Sequence, residues 1–310
     1  MSKLVFFGNE RIATGVETTA PTLQALIAAG YEIAAVVVAQ EPAAKSRKSR
    51  PLEVAAVAEA HAIPVLSPTK LSEITDSLQS YGADAGVLVA FGKLVPQSVI
   101  DLFQKGIVNI HPSLLPAHRG SIPIEAALLA GDPETGVSLM QLVREMDAGP
   151  TYVQATVALR GDETKQELAD NLLTLGKDLL LKNLPAILDG SLAPTPQPEA
   201  TVSYDQRLAK DAGLLVHDSW DRPAYEIERM VRALAGWPRV KTVVAGIDII
   251  ITQAHTVTTD GLPGTIWLAD GCFGIHAKDS VLVIDRLIPA GKKEMSGSDF
   301  LRGYPIIVTT

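Results

Sequence analysis

Six short apolar runs recur through the first 190 residues with helical patterns between them, and this alternation restricts the chain to few folds. The runs are LVFF (4–7), IAAVVV (33–38), PVL (64–66), AGVLVA (85–90), IVNI (107–110) and VSLMQL (137–142). Helices are expected at 21–30, with Pro21 in the first turn and Gly30 as a stop, then at 51–62, at 70–82 and over about 163–188. The last of these spaces Leu168, Leu172, Leu175, Leu179 and Leu180 along its length. Strands alternating with helices of this size predict βαβ units. The expected fold is therefore α/β, a Rossmann-like, mostly parallel sheet with helices on both faces.

Residues 191–204, SLAPTPQPEATVSY, place three prolines at alternate positions, which reads as an extended linker. Beyond it come one amphipathic helix, 224–236, and short strands between Gly and Asp turns. That pattern predicts a small antiparallel β-barrel, OB-like in type. At 310 residues the chain exceeds a typical single core, which agrees with this division into 1–190, a linker 191–204 and 205–310. The one cysteine, Cys272, cannot form an internal disulfide, and no run is long enough to span a membrane. The start, MSKLVFFGNE, carries charge too soon and has too little apolar length for a signal peptide, so a cytoplasmic protein is expected; a monomer is expected as well. Net charge is −8, and residues 1–205 hold 15 Lys and Arg against 23 Asp and Glu, whereas residues 206–310 hold 12 of each. A polyanionic partner would need local basic patches on such a chain.

The run IVNI opens into NIHPSLLPAHRGSIPI, residues 109–124. Side chains two apart in a strand point to one side, so Asn109 and His111 project together from a strand end. Asp147 follows in VREMDAGP, in the loop after VSLMQL. In open α/β sheets ligands bind beyond the carboxyl ends of the strands, which would bring these residues to one crevice. Asn supplies a neutral donor, His carries a proton and Asp orients the ring, a set suited to acyl transfer without a covalent nucleophile. On spacing alone, an Asn and a His that merely satisfy a turn remain the alternative. Gly8 and Gly15 in the first loop do not make a G-x-G-x-x-G, so a dinucleotide site is not expected. His61, His118, His217, His255 and His276 are scattered singly, so no metal is expected, and His118 is expected to lie exposed on its loop.

NIHPSLLPAHRGSIPIEAALLAGD, together with VSLMQLVREMDAG, resembles the signature of the formyltransferases that use 10-formyltetrahydrofolate. Their shared pattern is Asn-x-His, Ser-Leu-Leu-Pro, Arg-Gly, Pro-Ile and a helix ending in Gly-Asp. The resemblance implies that Asn109, His111 and Asp147 hold the catalytic positions, and that Ser113, Leu114, Leu115 and Pro116 form the folate-contacting turn. VAFGKLVPQSVI resembles the loop lining the pteridine pocket, which implies cofactor contacts from Phe91, where Tyr is common, and Gly92. The region from WDRPAYEIERMVRALAGWPRV to EMSGSDFLRG resembles the terminal barrel of the branch whose acceptor is initiator methionyl-tRNA, so the likeness covers nearly the whole chain. An enzyme that formylates the methionine α-amine is implied. A formyltransferase for a small amine such as an amino sugar, or a formyltetrahydrofolate hydrolase, is the alternative. Contacts to tRNA are implied for Lys45, Arg47, Lys48 and Arg50 in KSRKSR, a charge run that by itself reads as a solvated loop, and Arg286, Lys292, Lys293 and Arg302 would offer phosphate contacts if they share a face. The chain departs from the family in NERIATGVETTAP, where Thr-Pro-Glu-Phe is usual after Gly8, and in Ala117-His118, where Arg-Trp is common.

Overall fold

The computed structural model describes residues 2–39 and 52–304. The chain divides into two compact units. Unit 1 holds Met1–Ile124, Pro133–Arg160 and Gln166–Arg207, and unit 2 holds Glu125–Asp132, Gly161–Lys165 and Leu208–Thr310. Among the described residues no helix is long and apolar enough to cross a membrane.

In chain order the strands of unit 1 are β1 (Lys3–Gly8), β2 (Glu32–Val37), β3 (Val65–Leu66), β4 (Ala85–Val89), β5 (Ile107–His111), β6 (Arg119–Gly120), β7 (Glu134–Gln141), β8 (Thr151–Ala158) and β9 (Tyr204–Asp205). Seven of them form one sheet in the order β3-β2-β1-β4-β5-β7-β8, while β6 pairs with β9 in parallel apart from it. From β3 to β5 every pairing is parallel. These strands are largely buried on both faces, which is why they read as unbroken apolar runs. The chain between them supplies α1 (Pro21–Ala28), α2 (Glu53–Ala60), α3 (Thr75–Ser80), α4 (Gln97–Ile100), α5 (Pro123–Ala130) and the long α6 (Lys165–Asp189). The single helix expected over 70–82 begins instead as a separate 3-10 turn at Leu71–Ile74. The first loop closes on itself: the Glu10 carboxylate accepts the Thr22 and Leu23 amides at 2.8 Å each, capping α1. Burial pushes that carboxyl above its usual range, against the pull of the two amides.

Two features at the sheet's far side differ from expectation. β7, the run VSLMQL, lies antiparallel to β5. An apolar strand buried on both faces looks the same in either direction, so its sequence carries no sign of this. β8 follows antiparallel to β7, with every second residue exposed along much of its length. Its apolar residues are diluted by Gln and Thr, and no strand is legible there. The proline-spaced segment runs along unit 1, where Thr195 exchanges two backbone hydrogen bonds of 2.8 Å with Thr151 before the chain reaches β9.

Unit 2 is antiparallel and barrel-like. Its strands β10 (Val240–Val244), β11 (Ile247–Val257), β12 (Ile266–Ala269), β13 (Cys272–His276), β14 (Val281–Pro289) and β15 (Met295–Ser296) follow the order β10-β11-β14-β13-β12, with β15 on β14. The helix α7 (Ala224–Ala233) buries Ile227, Met230 and Val231, an i, i+3, i+4 stripe, into a core shared with Trp220, Ile249, Phe273 and Phe300. Phe300 lies on the last helix, α8 (Gly297–Gly303), and stacks on Phe273 with ring centres 5.5 Å apart. Leu129 of α5 packs against this cluster. Glu125 and Lys165 form a buried ion pair at 3.6 Å, where burial lowers the lysine and Glu125 restores part of the loss.

Candidate active site

β5 carries two polar side chains into the fold. Asn109 stands opposite Met140 and His111 opposite Ser138, with 5% and 4% of their surface exposed. The strand's period of two puts both on one face, as the sequence implies. Among the described residues the Asn109 amide has no hydrogen-bond partner within the protein. The His111 ring is held at Nε2 and has a carboxylate near Nδ1. Its Nε2 lies 2.9 Å from the carbonyl of His118, which can only accept, so Nε2 carries a proton. Its Nδ1 lies 3.6 Å from Asp147 Oδ1, while Asp147 Oδ2 accepts the Gly120 amide at 2.8 Å. A second proton, on Nδ1, would therefore face a carboxylate.

Asp147 reaches this place by a route the carboxyl-end rule does not describe. Because β7 runs against β5, the end of β7 at Gln141 sits beside Val108, near the start of β5. The loop after it returns to His111, and Asp147 adopts a left-handed backbone with φ 49°. His118, expected to be exposed, is also left-handed at φ 58°, and its Nδ1 contacts Asp205 Oδ2 at 2.8 Å. The pairing of β6 with β9 explains this, since it lays the 203–205 segment directly on the loop.

The turn after His111 is fixed from within. Ser113 Oγ donates to the Ala117 carbonyl at 2.6 Å, and the Leu115–Pro116 bond is cis. Ser138 Oγ accepts the Leu115 amide at 3.0 Å and donates to the Ser113 carbonyl at 2.7 Å. Gln154 Nε2 donates to the Leu115 carbonyl at 2.8 Å. Leu114 is half-buried, whereas Leu115 and Pro116 are buried. Sequence reasoning missed Ser138 and Gln154. Ser138 left one signal, a hydroxyl inside an apolar strand; Gln154 left none, since its strand was not legible.

Phe91 sits in an apolar cluster, its ring edge-on to Phe7 with centres 5.9 Å apart, while Gly92 is exposed with φ 72°. What Phe91 can offer a ligand is thus its backbone and the support of its ring. Arg119 is 8% exposed and bonds Gln197 and Tyr204. Lys45, Arg47, Lys48 and Arg50 lie outside the described residues. In unit 2, Lys292 and Lys293 are exposed, whereas Arg302 is paired with Asp299 and Arg286 with Glu294.

A formyl transferase domain matches residues 7–184, and the formyl transferase C-terminal domain matches residues 218–305. The methionyl-tRNA formyltransferase of Halorhodospira halophila is 36% identical over 99% of this chain and 97% of its own. That of Ruegeria pomeroyi is 35% identical over 98% of each chain. The chain belongs to the methionyl-tRNA formyltransferase family. Among solved structures, the fold is similar to that of an N-formyltransferase from Helicobacter canadensis in complex with folinic acid and dTDP-3-aminofucose. There the TM-score is 0.68 at 18% identity, over 95% of this chain and 100% of that one. HypX from Aquifex aeolicus, in complex with tetrahydrofolic acid, gives a TM-score of 0.65 at 17% identity, over 99% of this chain and 48% of that one. At such identities these two speak for the α/β-plus-barrel fold alone. Membership of the family rests on the full-length relatives.

Proposed function

We propose that this chain transfers the formyl group of 10-formyltetrahydrofolate to the α-amine of methionine on initiator methionyl-tRNA. The observation that carries this is likeness over the full length, including residues 218–305, to methionyl-tRNA formyltransferases. The reading as an amino-sugar formyltransferase has weaker support, since it rests on fold at under 20% identity.

The geometry suits direct transfer. Asn109 would donate its amide hydrogen to the formyl oxygen as the amine attacks and that oxygen gains charge. A donor already buried and unspent needs no reorganisation at that moment. His111, with acceptors at both ring nitrogens, would hold the proton that the attacking nitrogen gives up, and N10 would regain one as its bond to the formyl carbon breaks. Asp147 would set the ring's position and its charge. The turn at Ser113, Leu114, Leu115 and Pro116 and the loop at Phe91 and Gly92 would hold the folate. The Ser113 hydroxyl and both Leu115 backbone groups are engaged internally, so that turn would act as a rigid edge rather than a set of free donors. A metal has no part in this scheme.

A competition assay tests the reading. Methionyl-tRNA, an amino-sugar nucleotide and water are offered together with labelled 10-formyltetrahydrofolate. Label should appear on methionyl-tRNA; preferential release as formate, or capture by the sugar, would overturn the assignment.

A further inference from the structure

The proline-spaced segment grips both neighbours of His111. Gln197 Nε2 donates to the carbonyls of Asp147 at 2.8 Å and Gly149 at 2.6 Å. Its Oε1 accepts from Arg119 Nε at 3.0 Å and Nη2 at 2.7 Å. The amide's orientation is forced, because two carbonyls need a donor and a guanidinium needs an acceptor. Arg119 is in turn held by the Tyr204 hydroxyl at 2.9 Å and lies over that ring. Six residues after Gln197, Ser203 Oγ accepts the His118 amide at 2.8 Å, and Asp205 takes the His118 ring. Gly120 packs so closely here that a Cβ would run into the Asp205 carbonyl. Asp147 faces His111 Nδ1 and the His118 carbonyl faces Nε2, so the segment fixes what stands at each end of the ring. Both residues are left-handed, a conformation that persists only where the surroundings impose it.

We infer that residues 197–205 are a strap of the active site and that Gln197 is a positioning residue, setting Asp147 against His111. This rests on the reading of His111 and Asp147 as catalytic. No other common side chain does the same work at position 197. Glu keeps the acceptor but turns a carboxylate on two carbonyls, and Met offers neither donor nor comparable acceptor.

Gln197→Met keeps the volume and removes both functions. It should lower kcat for methionyl-tRNA about 10- to 100-fold, the scale of misplacing a reacting group by about 1 Å. KM for the folate should change less than about 2-fold, because ground-state binding is not what the strap serves. In an Asp147→Asn background the same change should cost less than about 2-fold, since the group it positions has already lost its charge. The 15N shifts of the His111 ring should move in Gln197→Met toward those of Asp147→Asn. A kcat within 2-fold of the parent, or an equal loss in both backgrounds, would overturn the inference. If Asp147→Asn itself kept near-normal turnover, the catalytic reading would fail instead; the His111 shifts would still decide the strap, moved upholding it and unmoved overturning it. Should Gln197→Met not fold, Gln197→Glu, which keeps the volume and the Arg119 contact, is measured in the same way.

Discussion

Asn109 is 5% exposed and its amide has no partner among the described residues, so its hydrogens are available to an acceptor that binds beside it. Asn109→Ala should therefore lower turnover by roughly 10²–10³ while leaving folate affinity close to the parent's. Steady-state kinetics beside a folate titration checks this; near-normal turnover would take Asn109 out of the mechanism. A different buried polar side chain, His276 on β13, bears on pH. Burial lowers it from 6.5, and Nδ1 finds no partner among the described residues. As pH falls through 6.5 and below, the unfolded chain takes up a proton that the folded one resists, so stability present above that pH is lost on the acid side. His276→Gln should flatten the acid limb of a thermal-midpoint profile, and an unchanged limb would assign it to other groups. At this scale the sequence was legible only in part. Asn109 and His111 show themselves because strand alternation alone puts them together. Ser138, Gln154 and Gln197 do not, since their partners are fixed by pairings of β5, β7, β8 and β9 that residue type does not announce.

Between elements, the contact behind β5 leaves little room. Gly176 on α6 lies so near β5 that a Cβ would come within 2.6 Å of Ile110 Cγ2 and 3.3 Å of Val137 Cγ1. A glycine inside a helix normally costs about 1 kcal/mol against alanine. Overpacking costs about 1–3 kcal/mol, so here the smaller residue wins. Gly176→Val, which adds bulk and loses helix propensity, should destabilise by about 2 kcal/mol or more. Ile110 sits between Asn109 and His111, so turnover should fall as well. Urea unfolding with paired kinetics tests both, and a variant as stable as the parent would mean that α6 can move off β5 freely. α6 itself was legible from its leucine spacing. The direction of β7 was not, and with it went the true reason that Asp147 meets His111.

For the molecule as a whole, a net charge of −8 makes any RNA contact depend on where cations are left unneutralised. Lys292 and Lys293 are exposed, whereas Asp299 holds Arg302. Changing both lysines to Ala should flatten the salt dependence of methionyl-tRNA binding by about 1 for each phosphate they neutralise. Arg302→Ala should alter it less, and the quadruple Ala variant at Lys45, Arg47, Lys48 and Arg50 should lower it by about 1 for each cation that meets a phosphate. Affinity measured over a salt series decides among them; unchanged slopes throughout would leave these clusters as solvated charge. The division of the chain bears on truncation. A fragment ending at Arg207 keeps the 197–205 strap but carries Leu129, Glu125 and Lys165 without the rest of unit 2. Its amides in 125–132 should exchange with deuterium faster than in the full chain, while those of β1 to β5 should match it; equal protection throughout would show that unit 1 holds that segment unaided. The same division sets an order of events at birth. Residues 125–132 and 161–165 leave the ribosome before the Leu208–Thr310 stretch they fold with exists. At roughly 5–20 residues per second, making that stretch takes on the order of 5–20 s. Until then Leu129 has no core to join. A substitution that delays the closing of the barrel lengthens this exposure without touching the site, and it would register as lower yield in the cell rather than as lower turnover in the cuvette.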